Sequence, residues 1–199
     1  SRDERVKYLP LEGLKRLLAA PQGNGPLALR NRAILALMGM HGLRVAEVAG
    51  LDLEDVDLSV AEMRVLGKGR KVRTVHLISH TAELLADWLE VRQALALDGV
   101  SALFVVVGPN GTGTALGPRG IRYVVDTYLT DLGLKAQGIS CHALRHSAAT
   151  WSRAGGARLD AIAGMLGHAS VTTTSVYARI VDRIAENPAR HLEELMGFG

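Results

Sequence analysis

The feature that most constrains the fold is one strand–turn–strand pattern set among segments of helical periodicity. Residues 61–77, AEMRVLGKGRKVRTVHL, carry two strand-like runs on either side of the turn GKG, a pattern that predicts a β-hairpin. Elsewhere, as in 27–40, apolar residues recur at the three- and four-residue spacing of a helix. Many helices with one small antiparallel sheet predict a mostly α-helical, single-domain α+β fold.

Helix boundaries can be read from serine, proline and glycine. Ser79, Ser140 and Ser170 are predicted N-caps, and Gly167 is predicted to end a helix. An apolar run at 101–106 predicts a further strand. The predicted helices cover 9–20, 27–40, a short segment within 43–51, 79 to about 97, 119–132, about 141–154, 159–166, 171–179 and a tail helix after Pro188.

Composition limits the class of protein. A chain of 199 residues fits one domain, and 48% apolar residues with 4% aromatics favour an ordered core of aliphatic side chains. One cysteine excludes an internal disulfide. No apolar run approaches the roughly 20 residues that span a bilayer, and the charged start SRDERVKYLP lacks the apolar region of a signal peptide. We therefore expect a cytoplasmic protein with no membrane partner.

Positive charge is concentrated in the hairpin rather than in the chain as a whole, whose net charge is only +3. Residues 64–73 contain no acid, which is typical either of a solvated basic face or of a surface for a polyanion. The two glycines of GKG place Lys68 at the tip of a sharp turn, from which it could enter a neighbouring cleft. Lys71 is the alternative candidate. The five cations are Arg64, Lys68, Arg70, Lys71 and Arg73.

A second candidate lies in GMHGLRVAEVAGL, residues 39–51. Arg44 follows the helix-ending Gly42, and Glu47 comes about one helical turn later. An exposed ion pair of little energetic value is the simpler interpretation.

The stretch GISCHALRHSAATW, residues 138–151, brings His142, Arg145 and His146 to the start of one predicted helix. Two histidines four residues apart suggest a metal site, but no Asp or Glu occurs from 132 to 159, which argues against a metal. A helix N-terminus with an arginine and imidazoles favours an anion. Cys141 is predicted to be a buried, inert thiol, and His146 a hydrogen-bonded core residue.

The last candidates lie in MLGHASVTTTSVYARI, residues 165–180. His168 sits at a helix break, and Tyr177 follows nine residues later. A single helical tyrosine usually serves packing. The glycine-rich 108–118 lacks the Gly-Lys-Ser/Thr end of a P-loop and is predicted to be a surface loop.

Taken together, these side chains are what metal-free phosphoryl transfer on a diester requires. Arginines can hold the non-bridging oxygens, imidazoles can donate to them, a lysine can protonate the leaving oxygen, and a tyrosine can attack phosphorus. The candidate set is Arg44, Lys68, His142, Arg145, His168 and Tyr177.

The order of these residues resembles the catalytic domain of the tyrosine recombinases, the phage integrase and Xer family. The resemblance covers about residues 9–180 and rests on five boxes. They are GLRVAE (42–47), GKGRKVR (67–73), HALRH (142–146), LGHASVTTT (166–174) and Tyr177.

The resemblance implies a DNA strand transferase that needs neither metal, ATP nor another cofactor. Tyr177 would attack a phosphate of double-stranded DNA, leaving a 3′-phosphotyrosyl link and a free 5′-hydroxyl. Lys68 would be the general acid, and His142 would assist proton transfer or orient the phosphate. The transition state would be stabilised by Arg44, Arg145 and His168.

Further roles follow from the same resemblance. Glu47 would orient Arg44, and His146 would support Arg145. The predicted DNA-binding residues are Arg64, Arg70, Lys71, Arg73, Arg119 and Arg122.

Family members usually carry an N-terminal helical DNA-binding domain, so we expect residues 1–199 to be an excised catalytic domain rather than a minimal member. The tail 188–198 is predicted to form a helix that either docks on a neighbouring subunit of a homotetramer on DNA or packs on its own core. A monomer is possible in isolation. Two other functions stay open: a DNA-binding module without chemistry, and a type IB topoisomerase.

Overall fold

Helices dominate the fold of this chain. The computed structural model describes residues 6–135, 139–168 and 171–185, which form eight α-helices and one antiparallel sheet of strand order β1-β2-β3. The predicted α+β class is confirmed. The elements are α1 (Leu11–Leu18), α2 (Pro26–Gly39), α3 (Val45–Ala49), β1 (Val56–Asp57), β2 (Glu62–Leu66), β3 (Val72–His76), α4 (Ser79–Arg92), α5 (Pro118–Asp131), α6 (Cys141–Ala154), α7 (Leu159–Leu166) and α8 (Val171–Ala185).

Helix α2 is the centre of the core, because side chains on nearly all of its circumference are buried. Pro26 occupies its first turn, where the fixed φ of proline fits and its missing N–H costs nothing. Helices α1, α3, α4, α5 and α6 all pack against it. Helices α3 and α6, which carry polar candidate residues, are therefore supported by one shared core.

A second, smaller apolar cluster joins α6, α7 and α8. Its buried members are Ala149, Ile162, Leu166, Tyr177 and Ile180. The chain that precedes α1 closes over this cluster through Val6 and Tyr8. Consequently, the helix that carries Tyr177 is held by aliphatic packing rather than by the main core.

The chain before α1 is fixed to α6 by hydrogen bonds. The backbone N–H of Leu9 donates to Ser147 Oγ at 2.8 Å, and Trp151 Nε1 donates to the carbonyl of Leu9 at 2.9 Å.

The predicted hairpin is confirmed and is formed by β2 and β3. Leu66 pairs with Val72 next to the turn, and Val65 pairs with Arg73. The turn itself is a 3-10 segment, Lys68–Arg70, in which Gly69 has φ +74°. Lys68 is thus in the turn, as the sequence predicted.

The predicted strand at 101–106 is wrong. Only two isolated bridges form there within the described residues, Asp52 with Ala102 and Val105 with Ala115. The apolar run instead enters the core as an extended segment whose amides bond to neighbouring loops, for example Leu103 N–H to the carbonyl of Leu51 at 2.7 Å. Burial alone produced the apolar pattern that predicted a strand.

Helix α4 ends at Arg92 instead of at about residue 97. The Arg92 guanidinium donates to the carbonyls of Val100 and Ala102, so it stabilises the reversal of the chain after the helix.

Ser79 is the first helical residue rather than the N-cap, and Ser140 is an N-cap without a side-chain capping bond. Ser170 and the tail helix 188–198 lie outside the described residues.

No helix of the described residues has the length and apolar character needed to cross a membrane.

Candidate active site

One cleft brings together five of the six predicted catalytic residues. It has a volume of about 460 Å³ and is bounded by α6, α8, the start of α3 and the chain after α7. Lys68 lies in the β2–β3 turn, and its side chain is not among the described ones. The predicted residues that line the cleft are Arg44, His142, Arg145, His146, His168 and Tyr177.

Arg44 is held at the N-terminus of α3 by a capping arrangement with Glu47. The Arg44 backbone N–H donates to Glu47 Oε2 at 2.9 Å, and its Nη1 donates to Oε1 at 2.8 Å. Glu47 is only 4% exposed at its side chain, whereas Arg44 is 37% exposed. Glu47 therefore lies beneath Arg44, where it can orient the guanidinium without closing it off from the cleft.

Arg73 also binds Glu47, through two parallel hydrogen bonds. Its Nη1 donates to Oε1 at 2.9 Å and its Nη2 to Oε2 at 3.0 Å. Burial would raise the pKa of Glu47, but the hydrogen bonds from Arg73 and Arg44 outweigh burial and lower it. The sequence predicted Arg73 as a DNA contact, whereas its guanidinium faces the protein interior and is occupied by Glu47.

Arg145 points inward from α6 and is 2% exposed. Its Nη1 donates to the carbonyl of Gly42 at 2.7 Å, and its Nη2 donates to the carbonyl of Leu166 at the end of α7. The last carbonyls of a helix have no partner within the helix, so Arg145 satisfies one of them. Burial and the neighbouring Arg44 lower the pKa of Arg145 to about 10, which leaves it charged at neutral pH.

Glycine at position 42 allows the backbone to pack closely against Leu166, because its φ is +66° and a Cβ at this position would lie 2.6 Å from Leu166 Cδ2. We expect Gly42→Ala to destabilise the protein by about 2–4 kcal/mol, from backbone strain and overpacking together. Denaturant unfolding measures this loss. Gly23→Ala is the matched control, since Gly23 has φ +83° but no atom within 4 Å of the Cβ position. An equal loss in both variants would mean that the contact with Leu166 contributes nothing.

His146 contacts the hydroxyl of Tyr177 rather than Arg145. Its Nδ1 lies 2.9 Å from Tyr177 Oη, and its ring meets that of His142 edge to face at 4.6 Å. Burial and the nearby His142 lower the pKa of His146 to about 4. The imidazole is therefore neutral at neutral pH, and in the tautomer that leaves Nδ1 without a proton it accepts a hydrogen bond from the tyrosine hydroxyl, which differs from the predicted support of Arg145.

Tyr177 is 2% exposed, and its hydroxyl reaches the wall of the cleft from an otherwise apolar cluster. Burial raises its pKa, although Arg145 and Arg44 act in the opposite direction. The free hydroxyl is therefore protonated at neutral pH and needs an acceptor in order to react.

His168 follows α7, which ends at Gly167 in the left-handed conformation with φ +63°. Its Nδ1 lies 3.0 Å from Thr174 Oγ1. Because Thr174 occupies Nδ1, a bound ligand would have to contact the other ring nitrogen, Nε2. Burial and the positive charge of Arg145 lower the pKa of His168 to about 4. Thr174 was missed from the sequence, because nothing separates it from its neighbours in the run VTTTS.

His142 is exposed at the first turn of α6. Burial of part of the ring and the charge of Arg145 lower its pKa. The adjacent Cys141 is buried, as the sequence predicted, and burial raises the pKa of its thiol to about 11. Within the described residues, no group of three or more His, Cys, Asp or Glu side chains could hold a metal ion.

The other predicted DNA-binding residues are exposed. Arg64 is partly engaged, donating to the carbonyl of Glu54 at 3.0 Å. Arg122 lines a second cleft of about 360 Å³ that shares Arg44, His142 and Arg145 with the first. The exposed set is Arg64, Arg70, Lys71, Arg119 and Arg122.

The fold and the cleft together define a chain built like the catalytic part of a tyrosine recombinase. It is similar to the XerH site-specific recombinase in a post-cleavage complex with its palindromic difH substrate, at a TM-score of 0.78 and 28% identity over 94% of this chain and 54% of that chain. The XerA recombinase gives a TM-score of 0.72 and 27% identity over 86% of this chain and 59% of that one.

Residues 7–183 match the model of the phage integrase family, and the chain belongs to that family. It is 36% identical over 192 residues to tyrosine recombinase XerC of Halalkalibacterium halodurans, covering 91% of this chain and 62% of that protein. It is 40% identical over 185 residues to XerC of Neisseria gonorrhoeae, covering 92% and 58%. The family predicted from the five boxes is confirmed, and the chain spans about three-fifths of these relatives.

Proposed function

We propose that this chain is the catalytic domain of a site-specific DNA recombinase, acting in the cytoplasm, that cleaves and rejoins strands through a 3′-phosphotyrosyl intermediate. The observation that carries the proposal is the placement of Tyr177 in one cleft with Arg44, Arg145 and three histidines. Membership of the phage integrase family supports the same reaction.

Cleavage begins with the scissile phosphate bound between Arg44 and Arg145. Tyr177 Oη attacks phosphorus and forms the new P–O bond, while the bond to the 5′-oxygen breaks. The tyrosine proton passes to the neutral His146, whose Nδ1 is 2.9 Å from the hydroxyl. Lys68, carried by the hairpin turn, donates a proton to the leaving 5′-oxygen. Rejoining reverses these steps with the 5′-hydroxyl of a partner strand, so the bond energy is conserved.

The arginine and histidine donors match the negative charge that develops on the phosphate in the transition state. The pentacoordinate transition state carries more negative charge on its equatorial oxygens than the ground state, and fixed donors stabilise it without reorganisation. Arg145 is fixed by two backbone carbonyls. His168 is fixed by Thr174 through Nδ1, and its other ring nitrogen would donate to the phosphate. His142, at the exposed rim, orients the phosphate or carries protons.

The decisive experiment is covalent trapping. A DNA substrate nicked next to the cleavage site loses its short 5′-hydroxyl fragment after attack, so the phosphotyrosyl adduct accumulates and survives denaturing electrophoresis. The full-length protein is the right reagent, because the relatives are longer than this chain. Adduct formation in EDTA supports the metal-free mechanism, and a strict need for Mg²⁺ contradicts it.

Two other functions predict different results. A DNA-binding module without chemistry binds the substrate but forms no adduct. A type IB topoisomerase forms the adduct and relaxes supercoils as a monomer, whereas a recombinase exchanges strands between two sites. We propose a homotetramer for that exchange.

Binding of the catalytic domain to DNA should weaken steeply with salt. If five exposed arginines and lysines each neutralise one phosphate, log K falls with a slope of about −4.5 against log salt, or roughly 500-fold between 50 and 200 mM. Fluorescence anisotropy at several salt concentrations measures the slope.

Arg122→Gln should reduce that slope by about one. The control Lys15→Gln, at an exposed position of α1 where Lys15 pairs with Glu12, should leave the slope unchanged. A salt-independent affinity contradicts phosphate binding by this surface.

A further inference from the structure

Arg73 connects three elements that carry different residues of the candidate site. It belongs to β3, five residues after Lys68 in the hairpin. Its guanidinium forms a two-pronged pair with Glu47 of α3, and its Nε donates to the carbonyl of Met165 in the last turn of α7 at 3.3 Å. With 15% of its side chain exposed, Arg73 lies between these elements instead of projecting from the hairpin.

The contact with α7 depends on Gly167. A Cβ at Gly167 would lie 3.1 Å from Cδ and Nη1 of Arg73, closer than nearly all real contacts of that kind. The glycine therefore gives Arg73 the space to reach the end of α7, directly before His168. Through this contact, the hairpin and the segment that begins with His168 are fixed to each other.

The contact with Glu47 also affects the charge of Arg44. Both oxygens of the Glu47 carboxylate accept one hydrogen bond from Arg73 and one from Arg44. The group of two arginines and one carboxylate carries a net charge of +1. Without Arg73, the buried carboxylate would pair with Arg44 alone, and the net charge facing an anion would be zero.

We propose that Arg73 is a positioning residue for the phosphate-binding cleft. It fixes the Lys68-bearing hairpin against α3 and α7, and it offsets the charge of Glu47 so that Arg44 remains available to an anion. The proposal rests on the proposed function, since the anion is taken to be the scissile phosphate. It assigns to Arg73 no direct contact with DNA.

The test compares Arg73→Gln with Arg70→Gln, an exposed neighbour in the same hairpin. For Arg73→Gln we expect the first-order rate of adduct formation from bound DNA to fall about 100-fold, as for a small misplacement of reacting groups, with DNA affinity at most about tenfold weaker and an unchanged salt slope. For Arg70→Gln, which removes a predicted DNA contact of the same hairpin, we expect weaker DNA binding and a smaller salt slope. The opposite pattern, in which Arg73→Gln weakens binding and reduces the slope at a normal rate, overturns the proposal.

A double variant tests the charge argument. In Glu47→Gln/Arg73→Gln the carboxylate charge is gone, so Arg44 regains its net charge, and we expect cleavage at least tenfold faster than in Arg73→Gln alone. Arg73→Lys, which keeps the charge with a single contact, should fall between wild type and Arg73→Gln. Thermal unfolding of each variant checks that the chain is folded. A double variant no faster than Arg73→Gln overturns the charge argument.

A readout that does not need cleavage separates this inference from the proposed function. Titration of inorganic phosphate, followed by the NMR signal of the Arg44 side chain, should show binding that is about tenfold weaker in Arg73→Gln and recovered in the double variant. Equal binding by wild type and Arg73→Gln, or no binding by either, overturns the role of Arg73. Failure of the wild-type protein to form any adduct, with the phosphate result as expected, instead overturns the recombinase function.

Discussion

Tyr177→Phe should form no covalent adduct with a nicked DNA substrate, while its affinity for that DNA stays within about threefold of wild type. The substitution removes only the hydroxyl that would attack phosphorus. Tyr177 is 2% exposed and belongs to one buried cluster with Ile162, Leu166 and Ile180, and phenylalanine can fill the same space. The lost hydrogen bond to His146 costs about 1 kcal/mol, too little to unfold the domain.

Tyr123→Phe is the matched control, because Tyr123 lies on α5 with 73% of its surface exposed. It should form the adduct at the wild-type rate. Denaturing electrophoresis with labelled DNA measures both variants. An adduct that persists in Tyr177→Phe would show that another residue is the nucleophile, and it would contradict the proposed mechanism.

Arg145→Lys should lower the rate of adduct formation by about 10² to 10³, the usual effect of removing one fixed donor to the transition state. It should also lower stability, because one ammonium group cannot reach the carbonyls of Gly42 and Leu166 together. A buried carbonyl left without a partner costs about 1–3 kcal/mol. For a domain of this size, that cost lowers Tm by about 2–12 °C.

Arg153→Lys on the same helix is the control for Arg145→Lys, since Arg153 Nη1 donates a long hydrogen bond of 3.5 Å to the carbonyl of Ala157. It should change neither rate nor Tm appreciably. A combined measurement of Tm and single-turnover rate distinguishes the two roles of Arg145. An Arg145→Lys variant with normal Tm and a normal rate would contradict both.

Much of the fold could be predicted from local signals in the sequence. The spacing of apolar residues predicted helix α2, and Gly167 predicted the end of α7. The hairpin followed from two strand-like runs around GKG. Local signals failed where the chain is buried without regular structure, as at Leu103 and Val105, because an apolar run looks the same in a strand and in an extended core segment.

The members of the cleft could be named from the sequence because family resemblance links boxes that are far apart in the chain. Their contacts could not, because hydrogen-bond partners are set by tertiary packing. Arg73 was grouped with the cations of its own hairpin, yet its partner Glu47 lies 26 residues away. His146 was assigned to its neighbour Arg145, whereas its partner Tyr177 is on another helix. No local spacing encodes such pairs.

The packing of Tyr177 in the small cluster of α6, α7 and α8 means that the reacting group is also a structural side chain. The Tyr177 side chain loses most of its rotational entropy when the chain folds. That entropy is therefore not lost again when DNA binds. Aliphatic residues that never meet the substrate, such as Ile162 and Ile180, thereby determine how far the hydroxyl extends into the cleft. Changes in the packing of these aliphatic side chains alone would therefore alter the reactivity of the site.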